Sequence, residues 1–175
     1  VELEDGAGHF QLILGTFHSR IAVYIGKLLY LIVLAVFATI LCVFLFDVLY
    51  PVMPLSFYIK PLIMLILAVI PIYLISIFVG FSLGKSVAMG LGIVGSLLSA
   101  LLVTGLGDFI WKFLPWGWGV RFMDYCVLQC VNERQFYSTF HEFQLGFICM
   151  LIFTVVLFII SLMWFQRWEG GKENE

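Results

Sequence analysis

The chain has 175 residues, a net charge of -2, a hydrophobic fraction of 63% and a charged fraction of 11%. Soluble domains carry about 25% charged residues, so this composition excludes a soluble globular protein, and the lack of a basic field excludes nucleic-acid binding. A mean hydropathy of +1.11 indicates instead that most of the apolar side chains face lipid.

Residues 1–20 are too short and too polar to cross a bilayer. Acidic residues come first, and apolar residues follow them at roughly helical spacing. Acidic side chains stabilise the N-terminus of a helix through its dipole, so a short amphipathic helix is predicted here. Such a helix could rest on the membrane surface or dock into another protein.

Four long uncharged runs predict four transmembrane helices, over residues 24–48, 61–84, 86–107 and 144–166. Each is long enough for a hydrocarbon core of about 30 Å, which needs about 20 helical residues. Backbone polar groups in lipid must be satisfied within the segment, which favours helix for every run. The predicted fold is therefore all-α, a polytopic membrane protein with one transmembrane domain (1–175) and both termini on the same side.

The second and third predicted spans carry two local features. Pro61 fits the start of a helix and Pro71 predicts a kink within it. In the third span, small residues recur every fourth position, which lets helix backbones approach closely. These predicted helix-packing residues are Gly84, Ala88, Gly92, Ser96 and Ala100. Their neighbour could be another helix of this chain, a partner subunit or a surface that slides during transport.

Residues 108–143 form the one long insertion, and residues 167–175 form a short polar tail. The insertion is rich in aromatic residues but is interrupted by charges, so it cannot cross the bilayer. This pattern predicts short amphipathic helices in the interface, with tryptophans at headgroup depth and charged side chains facing water.

The sequence shows no pattern of catalytic residues. None of the spans has a charged side chain in its interior that would indicate a proton relay or an ion site; Lys27 and Asp47 lie at the ends of the first span, where they can reach the interface. Histidines and cysteines lack metal-ligand spacing, and the motifs of hydrolases and nucleotide-binding enzymes are missing. We therefore expect this chain not to be an enzyme and to hold neither a metal nor a cofactor of its own.

Two segments carry a resemblance to a known family. The first is E-x-E-x-G-x-x-x-F-Q-x-x-L followed by S-R-x-x-x-Y-x-x-K-L, from Glu2 to Leu28, and the second is F-L-P-W-G-W-G-V-R at residues 113–121. They resemble the lantibiotic-immunity permeases, a group of ABC-2 type transporter subunits. The resemblance implies that the four spans match the third to sixth helices of a six-helix permease, and that the insertion corresponds to the re-entrant hairpin between its fifth and sixth helices. Its first two helices are missing here, so we expect the chain to begin partway into a longer protein.

The resemblance also implies partners and a location. The membrane would be the bacterial plasma membrane, with both termini cytoplasmic, and a slight excess of Lys and Arg on that side agrees. The partners would be a subunit that hydrolyses ATP and a second permease, identical or different. The implied ATPase-coupling residues are Glu2, Glu4, Gly8, Phe10, Leu14 and Phe17.

The expected substrate is an antimicrobial peptide that the transporter expels from the membrane to protect its producer. The residues placed to touch it are Trp111, Pro115, Trp116, Trp118, Asp108 and Asp124. Alternatively, the tryptophans form only an interfacial belt. Two other functions stay open: an ABC-2 permease for a lipid, drug or polysaccharide, and a non-transporting membrane scaffold. The scaffold predicts no ATPase partner and no dependence on the first twenty residues.

Overall fold

A computed structural model describes residues 20–49 and 55–167 of the chain, and the side chains of 21–49 and 57–167. Within these ranges there are helices and turns but no strand, which confirms the all-α prediction. The elements in chain order are α1 (Arg20–Leu49), α2 (Leu55–Ser82), α3 (Lys85–Val103), two 3₁₀ turns (Gly105–Gly107 and Trp111–Phe113), α4 (Pro115–Val131) and α5 (Glu133–Arg167). The predicted coupling residues and the tail after Arg167 lie outside the described residues.

Helices α1, α2, α3 and α5 are long and apolar enough to cross a membrane, so the four predicted spans are confirmed. The 19 residues of α3 correspond to about 28 Å of helix, close to the thickness of a hydrocarbon core. The 35 residues of α5 exceed that thickness. We call the side where α1 begins and α5 ends the termini side, and the opposite side, which carries residues 104–132, the insertion side.

Helix α2 is central, since it packs against α1, α3, α4 and α5. It begins at Leu55, six residues before the predicted start at Pro61, and continues through both Pro61 and Pro71. Tyr58, in this added stretch, is buried and its ring lies 6.2 Å from that of Phe46. This contact explains why the helix starts before the proline.

The connection between α2 and α3 is as short as the sequence predicts. Gly84 has a φ of 87°, a backbone conformation that residues with a side chain rarely adopt. Gly84 therefore permits the tight turn, and the two helices run antiparallel as direct neighbours.

The buried side chains form two clusters. The termini cluster joins α1, α2 and α5 through Tyr24, Leu28, Leu74, Ile77, Phe81 and Phe165. The insertion cluster joins α2, α3, α4 and α5, with one 3₁₀ turn, through Ala68, Leu102, Trp111, Trp118, Phe122, Phe143 and Met150. Pro71 lies in α2 between the two clusters and is itself buried. Helices α2 and α5 belong to both clusters and connect them.

Helix α3 ends at Val103, four residues before the predicted boundary. Thr104 is extended (φ -77°, ψ 164°), and the chain then folds back over the last turn of the helix. A β-carbon at Gly107 would lie 2.6 Å from the Cα atom and from the carbonyl oxygen of Leu102. Because these are backbone atoms, only glycine permits this return.

The insertion differs from the flat interfacial helices that were predicted. Helix α4 packs lengthwise against α2, α3 and α5. Near its start the ring of Trp116 lies against Gly95, at the middle of α3, and near its end Gln129 accepts a hydrogen bond from Lys60 near the start of α2. Helix α4 therefore re-enters the bundle to about the middle of the spans and returns to the insertion side. Its residues pack as a core because three helices surround it.

Helix α5 begins at Glu133, eleven residues before the predicted start of the last span. The side-chain oxygen of Asn132 accepts a hydrogen bond from the backbone N–H of Gln135 at 3.2 Å. This is the geometry of a helix N-cap. The last part of the predicted insertion is thus an extension of the final helix beyond the apolar span.

Candidate functional site

Three of the predicted peptide-contact residues are buried, and two of them, Trp111 and Trp118, belong to the insertion cluster. Trp118 is 0% exposed and Trp111 is 2% exposed, and Pro115 is buried. The indole N–H of Trp118 donates to the carbonyl oxygen of Lys112 at 3.0 Å, and its ring lies 5.4 Å from that of Phe153. These side chains hold α4 in place, and almost none of their surface is exposed.

The position of Trp111 depends on a glycine of α5. A β-carbon at Gly146 would lie 2.2 Å from the indole ring of Trp111, so the ring occupies the space that a larger residue would fill. The same ring meets Phe122 edge-on, at 6.1 Å and 90°. The 3₁₀ turn before α4 is thereby fixed against both α4 and α5.

A polar cavity of about 620 Å³ opens on the insertion side, beneath this turn. It is lined by Asp108, Phe109, Trp111, Lys112, Arg121, Asp124, Tyr125, Leu128, Gln135, Thr139 and Glu142. Two ion pairs cross it, Lys112 with Glu142 and Arg121 with Asp108. Three of the predicted contact residues therefore share one cavity: Asp108, Asp124 and Trp111. We call it the insertion cavity.

Arg121 connects α4 to the end of α3. Its Nε donates to the carbonyl oxygen of Leu102 at 2.6 Å, and its Nη2 donates to that of Thr104 at 2.9 Å. Nη2 also donates to Asp108 at 2.5 Å. A cation here satisfies carbonyls that a helix end leaves without partners and complements its dipole. Asp108 and Arg121 thus have a structural role in closing α3.

Asp124 differs from the other two carboxylates of the cavity. Among the described residues it has no ion pair and no hydrogen bond, although Arg121 is near enough to act on it electrostatically. Partial burial raises the pKa of Asp124 above its ordinary value, and the charge of Arg121 opposes that shift. Asp124 also lines a second pocket, described next.

An apolar groove of about 470 Å³ lies between α2, α3 and α4. It is lined by Leu65, Ala68, Val69, Ile72, Ser96, Ser99, Val103, Trp116, Gly119, Val120, Met123 and Asp124. Trp116, Ser96 and Asp124 were each selected from the sequence for separate reasons, and the fold brings them together here. We call this pocket the α3–α4 groove.

The small-residue series of α3 contributes little to packing within this chain. Gly92, Ser96 and Ala100 are exposed, and Ala88 lies 4.0 Å from the position of a β-carbon on Gly80 of α2. The close contact is made instead at Gly95, where a β-carbon would lie 1.9 Å from the indole nitrogen of Trp116. Packing of the exposed face against a partner stays a prediction.

Sequence reasoning missed two features of this region. Gly95 and Ser99 form their own small pair at four-residue spacing, and that signal could have identified the face of α3 that meets α4. Lys60 was treated only as the boundary of a span. Its ammonium group lies over the rings of Phe136 (5.4 Å) and Phe143 (5.8 Å), so it ties α2 to α5 through cation–π contacts that no local pattern indicates.

Within the described part of the chain, no group of three or more His, Cys, Asp or Glu could hold a metal ion. Cys126 and Cys130, one helical turn apart on α4, are both free thiols. Burial raises the pKa of the Cys126 thiol, which makes it less reactive.

Comparison with protein-family models, with curated proteins and with solved structures finds no match to this chain. The fold and its pockets define a class nonetheless. This is an integral membrane protein whose described residues, 20–49 and 55–167, form four spanning helices and a fifth helix that re-enters the bundle beside a polar cavity and an apolar groove.

Proposed function

We propose that the chain is the permease subunit of an ABC transporter in a bacterial plasma membrane. Its substrate is an antimicrobial peptide of the lantibiotic class, expelled to protect the producing cell. The resemblance of the segments around 2–28 and 113–121 to lantibiotic-immunity permeases supports this proposal. The observation that carries it is the re-entrant packing of α4, because the same resemblance implies a re-entrant hairpin before the last helix.

The two core clusters suggest how a movement would pass through the subunit. ATP binding in the partner would displace the coupling segment, which continues directly into α1. Tyr24 of α1 and Phe81 of α2 each lie 5.1 Å, ring to ring, from Phe165 of α5. A shift of α1 would therefore displace both α2 and α5. These two helices also form the insertion cluster, so the shift reaches α4 and its pockets.

The substrate-contact residues separate into two groups under this proposal. Trp111, Pro115 and Trp118 position α4 from the core. Asp124 and Trp116 are left to meet the peptide, since both line the α3–α4 groove. A cationic, amphipathic peptide in the adjacent leaflet suits a carboxylate at the mouth of an apolar groove.

Affinity purification of the tagged chain from its native membranes tests the proposal. We expect an ATP-binding subunit in stoichiometric amount, lost when residues 2–17 are scrambled. A variant with residues 168–175 scrambled is the matched control, because it changes the polar tail on the same side and should keep the partner. Recovery of the well-folded chain alone from all three preparations would reject the permease function.

A membrane scaffold is the second candidate, and the exposed face of Gly92, Ser96 and Ala100 favours it. Such a face suits close association with another transmembrane helix. The scaffold predicts oligomers that survive scrambling of residues 2–17 and that separate when Gly92 is replaced by Leu. A permease for a lipid, drug or polysaccharide would keep the ATPase partner but give no protection against the peptide, which a growth assay with each compound class distinguishes.

A further inference from the structure

The α3–α4 groove extends along α4 between Trp116 and Asp124. These two residues are eight positions apart, or about 12 Å along the helix axis. The hydroxyl groups of Ser96 and Ser99 donate to carbonyl oxygens of α3 itself, at 2.8 and 2.7 Å. The groove therefore offers an almost entirely apolar surface along its length.

Among the described residues that line this groove, Asp124 is the only ionisable one, and it lies at the insertion-side end. The insertion cavity beside it has three carboxylates and two cations, so its lining keeps one net negative charge. Both cations are engaged with the other two carboxylates, Lys112 with Glu142 and Arg121 with Asp108. The negative charge that remains belongs to Asp124, at the point where the groove and the cavity meet.

We infer that Asp124 and the α3–α4 groove form a binding site for a cationic amphiphile. Its ammonium or guanidinium group pairs with the Asp124 carboxylate, and its apolar part lies along the groove toward Trp116 and Ser96. A phospholipid tail could fill the same groove, but its phosphate would meet the carboxylate with like charge. This inference rests on the proposed function in one respect: it names a basic side chain with its apolar neighbours as the part of the peptide that is held.

Binding can be measured without the ATP-binding partner. The purified full chain is placed in phosphatidylcholine nanodiscs and titrated with a long-chain alkylammonium that carries bromine on its tail. Bromine quenches tryptophan fluorescence at contact, so we expect saturable quenching that disappears in Trp116→Phe. The matched neutral probe is the brominated alcohol of equal chain length, and we expect it to bind more weakly.

The charge contact is tested by substitution. We expect Asp124→Asn to weaken binding of the alkylammonium about tenfold, as for loss of one hydrogen bond to a charged group, and to leave the alcohol unchanged. Asp124→Glu should retain the preference. Glu133→Gln removes one carboxylate from an exposed position on the same side and should change neither probe.

The groove is tested by filling it. Ser96→Leu should weaken both probes, whereas Ser86→Leu, at an exposed position of the same helix outside the groove, should not. Equal affinity of the alkylammonium for the parent chain and Asp124→Asn would overturn the inference, as would equal quenching by both probes. Binding with the expected pattern but no ATP-binding partner would reject the proposed function and keep the site. Recovery of the ATP-binding partner without this binding pattern would reject the site and keep the proposed function.

Discussion

The two halves of the bundle are held together differently. On the insertion side, four helices and a 3₁₀ turn enclose two buried tryptophans, and two ion pairs tie the turn and α4 to their surroundings. On the termini side, three helices meet mainly through apolar side chains, with the ammonium group of Lys27 4.8 Å from the ring of Phe81, and most of α1 faces outward. Lipid tails are as apolar as leucine, so burial alone does not drive helices together in a membrane. The free energy of unfolding should therefore come mainly from the regions where packing is closest and polar contacts are present.

This difference has a mechanistic consequence under the proposed function. The insertion half would move as one body, because α4 is fixed to α2, α3 and α5 at the same time. The termini half lies next to the coupling segment in sequence, and most of its helix α1 faces outward. Variants in the two halves should accordingly differ in how strongly they affect the free energy of unfolding.

The largest loss is expected from Trp118→Ala. Removing a fully buried tryptophan leaves a cavity that three helices cannot close, so the free energy of unfolding should fall by about 3–5 kcal/mol. Mixed-micelle titration with a denaturing detergent measures it. Phe109→Ala is the control, since that ring is 90% exposed and its loss should change stability by less than about 0.5 kcal/mol. Equal effects of the two substitutions would contradict the re-entrant position of α4.

Arg121→Gln should have the next largest effect. The substitution removes the ion pair with Asp108 and the hydrogen bonds to the carbonyl oxygens of Leu102 and Thr104, for a loss of about 1.5–3 kcal/mol. Arg134→Gln, at an exposed position of α5, is the matched control. Hydrogen exchange at the C-terminal turn of α3 should also accelerate in Arg121→Gln only. Unchanged exchange there would mean that the guanidinium does not close this helix.

Gly95→Ala is expected to cost about 1–3 kcal/mol, because its methyl group requires the Trp116 ring to move away from α3. Gly92→Ala has open space around it, and the better helix propensity of alanine should stabilise the chain by up to about 1 kcal/mol. Both positions lie inside α3, so the backbone contribution is the same. If both variants gained stability, the contact between α3 and α4 would be looser than the structure has it.

Hydropathy was sufficient to predict the four spans, because long uncharged runs in lipid have one stable backbone conformation. It could not place α4, because a segment rich in tryptophan and interrupted by charges suits either an interface or a re-entrant core. Which of these it adopts depends on whether α2, α3 and α5 leave room for it, and the room comes from Gly95 and Gly146 on other helices.

Hydropathy was also insufficient to place the ends of the helices. Asn132 and Gln135 form a capping pair in the sequence, and that local signal could have located the start of α5. Charged residues were taken as the ends of spans, and this placed the end of α3 at Gly107 although the helix stops at Val103. For the site, the sequence identified Asp124 and Trp116 but not the groove between them, since its walls come from three helices far apart in the chain.

The smallest effect is expected on the termini side, from Tyr24→Phe. The Tyr24 side chain is 0% exposed, and among the described residues its hydroxyl has no hydrogen bond of normal geometry; the Ser161 hydroxyl is near enough to act on it and itself donates to the carbonyl oxygen of Phe158. Removing a buried polar group that lacks a partner relieves its desolvation cost, so stability should stay the same or rise by about 1 kcal/mol. Tyr24→Ala, measured by the same titration, separates the ring from the hydroxyl and should lose stability, because the contact with Phe165 is lost. A clear loss in Tyr24→Phe would show that this hydroxyl has a partner, and that this polar contact helps to hold the termini half together.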